Sequence, residues 1–321
     1  MAAERERRPV GPAKILDSLR ETASRLPANI YLGTSSWSFP GWKDLVYDRG
    51  VSKTHLAKHG LLAYAQHPLL RAVGIDRTFY APIAAAEFAA YAEVVPESFR
   101  FLVKAPAACT TPHRRATRRR PSGPNELFLN AGYAAEQIVA PFVEGLGPKG
   151  GPLVFQFPPL GTRLTREPAR FAVMLGEFLA ALPRGPLYAV ELRDRELFGP
   201  EYLAALDAAG ARHCLNVHPR APAASEQRRM LESRSDGALV ARWMLGSGRG
   251  YEEAMRRYEP FSRLVDEDRP NRETLAETCL EHALRGRDVV LVANNKAEGS
   301  APLTVFRLAE EIVRRLPHEE G

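Results

Sequence analysis

Eight short runs rich in apolar and β-branched residues punctuate this chain, and most end in a polar residue that the middle of a buried strand would not tolerate. They cover residues 30–35, 72–78, 100–104, 152–157, 187–192, 213–217, 239–243 and 289–293, with stretches of helical periodicity between them. Strands separated by helices imply right-handed βαβ units and a parallel sheet. Eight such units favour closure, so the expected fold class is α/β, a (β/α)8 TIM-type barrel with parallel strands. In such barrels the chemistry sits at the C-terminal ends of the strands. Lys104, Gln156, Glu191, Arg193, Asn216, Arg242, Asn294 and Asn295 then become the floor and rim of one expected pocket.

A chain of 321 residues fits a single barrel domain, placed at residues 29–317. Residues 1–28 are charged and contain Pro9, Pro12 and Pro27, the pattern of a poorly ordered tail around a short helix at 13–25. After the first run comes a connection holding Trp37, Phe39, Pro40, Gly41 and Trp42, then a helix expected over 53–70. The clearest helix is 168–182, where Phe171, Met174, Leu175, Phe178, Leu179 and Leu182 mark one apolar stripe. The last helix repeats the pattern with Phe306, Ala309, Ile312, Val313 and Leu316. Ser300 serves as its expected cap, and Pro302 falls in its first turn.

No stretch reaches the roughly 18 apolar residues of a membrane span, and the first residues alternate in charge as no secretory signal does. A cytoplasmic location is the expectation. Cys109, Cys214 and Cys279 are too few and too dispersed for a disulfide framework or a metal knuckle. The net charge of +6 is local, because Arg114, Arg115, Arg118, Arg119 and Arg120 form an acid-free cluster, and subtracting those five leaves +1. They lie in a polar, proline-rich loop at 107–125 on the expected catalytic face, read as mobile. Glycine-rich residues 246–250, followed by a helical pattern over 251–257, suggest a lid.

Glu191 and Arg193 are two apart at a strand end and project from the same face. Two readings stand. Either Glu191 is a general acid or base tuned and oriented by the arginine, or the two close the barrel as an ion pair. Lys104, Arg193 and Arg242 supply cations, and Gln156, Asn216, Asn294 and Asn295 supply amides, a set suited to an anion or a polyhydroxylated molecule. Asp76 is the second carboxylate candidate and shares a strand face with Thr78 and Tyr80. Trp37, Trp42 and Tyr80 offer faces for stacking a sugar or base, or plug the barrel top. No HExxH, EF-hand, GxSxG, P-loop or strand-associated GxGxxG pattern occurs. The sequence therefore points to neither a metal nor a cofactor.

The ordered motifs Gly33-Thr-Ser-Ser-Trp-Ser-Phe-Pro-Gly-Trp42, Thr78-Phe-Tyr80, Phe101-Leu-Val-Lys104, Phe155-Gln-Phe-Pro-Pro159, Val190-Glu-Leu-Arg193 and Asn294-Asn295 resemble the YecE-like family, domain of unknown function 72. The resemblance spans roughly residues 30 to 316 and implies a TIM-type barrel of unestablished activity. It also implies a divergent member. Gly74 and Asp76 stand where the family carries a carboxylate and an amide, and Arg242-Trp-Met-Leu-Gly246 lacks the family histidine.

The functional expectation is a barrel enzyme binding a small anionic or polyhydroxylated substrate, a metal-independent hydrolase or lyase with Glu191 as acid or base. One rival is a non-catalytic ligand-binding protein using the same pocket. The other is nucleic-acid association through the arginine loop.

Overall fold

Each apolar run forms a strand, because valine, isoleucine and aromatic side chains suit a pleated surface covered on both faces. The computed structural model describes residues 9–114, 122–234, 236–246, 248 and 250–317. The parallel strands are β1 (Ile30–Thr34), β2 (Ala72–Ile75), β3 (Arg100–Lys104), β4 (Gly150–Gln156), β5 (Leu187–Glu191), β6 (Arg212–Val217), β7 (Leu239–Trp243) and β8 (Val289–Ala293). They neighbour one another in chain order, and β8 closes onto β1, giving the (β/α)8 TIM-type barrel.

The chain divides into two compact units, one of residues 1–74, 94–100 and 215–321, the other of residues 75–93 and 101–214. In the first, β8 pairs with β1 through Gly33↔Val292 and with β7 through Val292↔Arg242. Gly33 is dictated by close approach, since a Cβ there would lie 1.8 Å from the Ala72 carbonyl oxygen. The helix Ala301–Arg314 buries Val305, Leu308, Ala309 and Ile312 and packs against the helix Arg269–Leu284. Ser300 occupies the cap position of Ala301–Arg314, but its hydroxyl makes no capping bond. Asn295 Oδ1 takes that role, accepting from the Ala301 N–H at 2.8 Å.

Residues 9–28 pack more than the composition of a tail suggests. Asp17–Arg25 is helical, Val10, Ala13, Ala23 and Leu26 are buried, and the Ala13 N–H donates to the Val46 carbonyl. The helix expected over 53–70 is broken at Gly60 into Lys53–His59 and Leu61–Ala65.

His67, buried and stacked on Phe306 at 4.5 Å, has its pKa pushed down to about 4 by burial, with Arg20 adding to the effect. The folded state thus refuses a proton that the unfolded chain accepts near pH 6.5. Stability should be intact above pH 6.5 and fall between pH 6.5 and 4, by up to about 3 kcal/mol. Urea melts across that window should show this slope, and His67→Phe should flatten it.

In the second unit, β4 pairs with β5 through Val154↔Ala189 and Gln156↔Glu191. β3 joins β4 through Lys104↔Val154, with a register shift between Phe101 and Val103. Phe155 meets Phe178 of the helix Pro168–Ala180 edge-on at 5.1 Å, which turns Phe155 toward the helices and Gln156 away from them. The helix Ala85–Glu93 packs on Ala140–Leu146, a contact that needs Gly145, whose Cβ would come within 2.3 Å of the Ala85 carbonyl oxygen.

The second run departs from expectation beyond Ile75. Asp76–Phe79 is a 3-10 turn rather than strand, so Asp76, Thr78 and Tyr80 do not share a strand face. The reason is local: the Thr78 hydroxyl lies 2.7 Å from the Ile75 carbonyl and 2.6 Å from that of Lys104, a turn bond that competes with the sheet ladder. The described ends of the 107–125 loop are also pinned. Ala107–Thr110 is helical with Cys109 and Thr110 buried, and His113–Arg114 pairs with Gly123–Pro124. Arg115, Arg118, Arg119 and Arg120 lie outside the described residues.

Candidate functional site

Strand alternation positions the second unit's candidate residues. Gln156 and Glu191 are register partners on neighbouring strands, Arg193 follows two residues beyond Glu191, and Lys104 shares the parity of Gln156 through its pairing with Val154. Lys104, Gln156 and Glu191 stand at C-terminal strand ends on the face away from the helices, and Arg193 lies just beyond the end of β5. Glu191 is 0 % exposed and the Arg193 side chain 9 %, and Arg193 Nη2 lies 2.5 Å from Glu191 Oε1. The Gln156 amide, by contrast, is engaged by no hydrogen bond among the described residues. Lys104 Nζ sits over the Phe79 ring, 3.5 Å from its centroid, and Phe79 in turn meets Tyr80 edge-on at 5.7 Å. Tyr80 is 87 % exposed, a bare aromatic face at the edge of this turn.

Behind Glu191 stands Tyr202, which sequence reading missed. Its hydroxyl is 2.9 Å from His213 Nδ1. Burial pushes its pKa well above the usual tyrosine range, and Cys214 and Glu191 push it further. Tyr202 therefore remains a neutral phenol facing the carboxylate's electrostatic field.

The first unit holds the remaining candidates. Trp37 is buried and its indole N–H donates to the Leu56 carbonyl at 3.1 Å. Trp42 is also buried, and its indole donates to Asn295 Oδ1 at 3.2 Å. Both tryptophans are core, and Asn295 joins the Trp42 loop to the last helix. Asn294 donates to Ser35 Oγ at 2.7 Å and accepts from the Lys296 N–H at 3.1 Å, so it too shapes the loop. Arg242 and Asn216 are buried at the ends of β7 and β6.

Lys296 was overlooked although it directly follows the two asparagines. It is buried, with Nζ 4.4 Å from the Tyr251 ring centroid. Tyr251 opens the helix Tyr251–Tyr258, which lies where a lid was expected and is anchored by Ala254 and Tyr258 in a cluster with Leu245 and Phe261. Gly74 leaves little space: a Cβ there would come within 3.0 Å of Ser35 Cα.

Among the described residues no group of three or more His, Cys, Asp or Glu is arranged to hold a metal ion. No described helix is long and apolar enough to cross a membrane.

Solved structures share this architecture. A DUF72 family protein of Enterococcus faecalis V583 matches with a TM-score of 0.57 at 18 % identity, covering 90 % of this chain and 97 % of the other. One of Thermotoga maritima MSB8 matches with a TM-score of 0.55 at 20 % identity, covering 88 % and 98 %. No curated protein matches the chain. Residues 31–320 match the family described as "Protein of unknown function DUF72". With the barrel, the motifs and this match in agreement, the chain belongs to the DUF72 family.

Proposed function

We propose that the second unit binds a small anionic or polyhydroxylated molecule at the ends of β3, β4 and β5, with Glu191 as the acid or base of a proton-transfer or hydrolytic step. The observation that carries this is the Gln156 amide, uncommitted beside a buried Glu191–Arg193 pair. A purely structural ion pair has no need of an idle amide at its side. Arg193 offers a planar fork to a phosphate or carboxylate, and Lys104 a point charge. Glu191 is the group placed to exchange a proton with a bound hydroxyl.

Gln156→Leu separates a ligand site from a barrel-closing pair, because it removes no hydrogen bond among the described residues. Its unliganded melting temperature should stay close to that of the parent chain. The stabilisation by phosphorylated or carboxylated metabolites, about 2.7 kcal/mol at a hundredfold excess over Kd, should fall sharply. Arg193→Ala should lose that response as well, together with stability. A Gln156→Leu protein that keeps the full ligand response would remove the site from consideration, and Glu191→Gln that binds without turning over would assign the chemistry to Glu191.

A further inference from the structure

A cavity of about 510 Å³ opens at the N-terminal ends of β1 and β2, and every residue lining it belongs to the first unit. That size suits a small molecule. Ser24, Ala28 and Ser98 at its rim are exposed, whereas Leu26, Leu70 and Phe99 in its wall are buried. Its ionisable lining is Arg71, His67 and Tyr31, with no aspartate or glutamate. His67, whose pKa is pushed down to about 4, is neutral at pH 7, so the charge on the cavity wall is that of Arg71.

Arg71 is half-buried and is held by backbone carbonyls. Nε donates to Pro68 at 3.3 Å, Nη1 to Leu26 at 3.5 Å and to Pro27 at 3.1 Å, and Nη2 to Ala23 at 2.8 Å. A guanidinium has five N–H groups, so one remains on Nη2. Burial lowers the Arg71 pKa and Tyr31 partly restores it, while the charge acting on His67 is that of another cation, Arg20. No carboxylate is among these influences. Carbonyl dipoles ease the burial of a cation, but they leave its charge uncancelled.

We infer that this cavity binds a monocarboxylate with an apolar body. One carboxylate oxygen accepts the spare Nη2 proton of Arg71 in a charge-assisted bond. The Tyr31 hydroxyl, close enough to act on the Arg71 charge, donates to the other. The body lies against Leu26, Leu70 and Phe99, where apolar surface leaves water. With one N–H to spare, the guanidinium matches a single negative charge, and a cationic amphiphile would meet it as a like charge. The site lies wholly within the first unit and does not depend on the function proposed above.

The test is isothermal titration calorimetry of the full chain with octanoate, acetate, octylamine and 1-octanol. Octanoate should bind at one site, and the other three, each lacking the head group or the body, at least about tenfold more weakly. A parent protein that does not bind octanoate would overturn the inference, and so would one that binds 1-octanol or octylamine as tightly, since the cavity would then be an apolar hole. Arg71→Gln should weaken octanoate at least about tenfold, the loss of a hydrogen bond to a charged group. Tyr31→Phe, which keeps the ring beneath the Arg100 guanidinium and so the fold, should weaken it about threefold and decides the matter should Arg71→Gln not fold. Unchanged octanoate affinity in either variant would overturn the assignment. Gln156→Leu should bind octanoate as the parent does; loss there would place the carboxylate beside Glu191 and Arg193 instead and refute this site alone.

Discussion

Gly33→Ala should fail to yield a folded barrel. The added methyl would sit 1.8 Å from the Ala72 carbonyl oxygen and 2.4 Å from its carbon, both backbone atoms that cannot rotate aside. Relief requires β1 to part from β2, which breaks the pairings Gly33↔Ala72 and Thr34↔Val73 and disturbs Gly33↔Val292 on the other side. A cost above about 4 kcal/mol is expected, at the far end of what single substitutions do. Circular dichroism and denaturant melts of the purified variant measure it; a Gly33→Ala protein melting within 2 °C of the parent would show that β1 and β2 are not packed as described.

The second large effect belongs to Arg272. Its Nη2 lies 2.5 Å from Glu298 Oε1, and Glu298 is completely buried. Glu298 Oε1 also accepts from the Asp268 N–H at 2.7 Å, and the Glu298 carbonyl accepts from the Val265 N–H at 2.8 Å. This carboxylate thereby ties the loop after β8 to the segment leading into the helix Arg269–Leu284. Burial raises its pKa despite the bonds from Asp268 and Arg272 that lower it, a sign that desolvation already presses on the charged form. Removing the arginine leaves that charge without its partner, and Arg272→Ala should cost about 3–5 kcal/mol at neutral pH. Because the raised pKa means that the folded state binds the proton more tightly than the unfolded chain, the penalty should shrink as pH falls through the folded pKa and Glu298 is neutralised. Denaturant melts at neutral and acidic pH test both parts. A loss that grows on acidification would contradict the assignment.

The barrel was legible because each strand announces itself by a β-branched run, and β3, β7 and β8 fall where the sequence places them. Where reading failed, a specific polar contact won. Threonine, phenylalanine and tyrosine at 78–80 look like strand, yet the Thr78 hydroxyl turns the chain after Ile75. Ser300 looks like a cap, yet Asn295, brought from five residues earlier, already bonds the Ala301 N–H. Val10 and Ala13 carry no periodic signal, and their burial depends on a loop more than 30 residues away. Among the candidate residues, the two-residue spacing at the end of β5 brings Glu191 and Arg193 together, and they form an ion pair although Arg193 lies just past the strand. Of the two readings open for Trp37 and Trp42, stacking on a ligand or hydrophobic plugging, the composition could not choose; both side chains are buried, with each indole N–H bonded inside the protein. Lys296 was missed because strand-end logic stopped at Asn295, one residue short of a buried cation.

The most direct measurement of the central claim is an anomalous difference map from crystals of this protein soaked in tungstate, a heavy tetrahedral oxyanion with the geometry of phosphate. The account predicts a strong site within hydrogen-bonding distance of Arg193, bordered by Lys104 and the Gln156 amide, and its disappearance in Arg193→Ala crystals. Peaks confined to exposed surface arginines, with none at Arg193, would contradict it and leave Glu191 and Arg193 as a pair that closes the barrel.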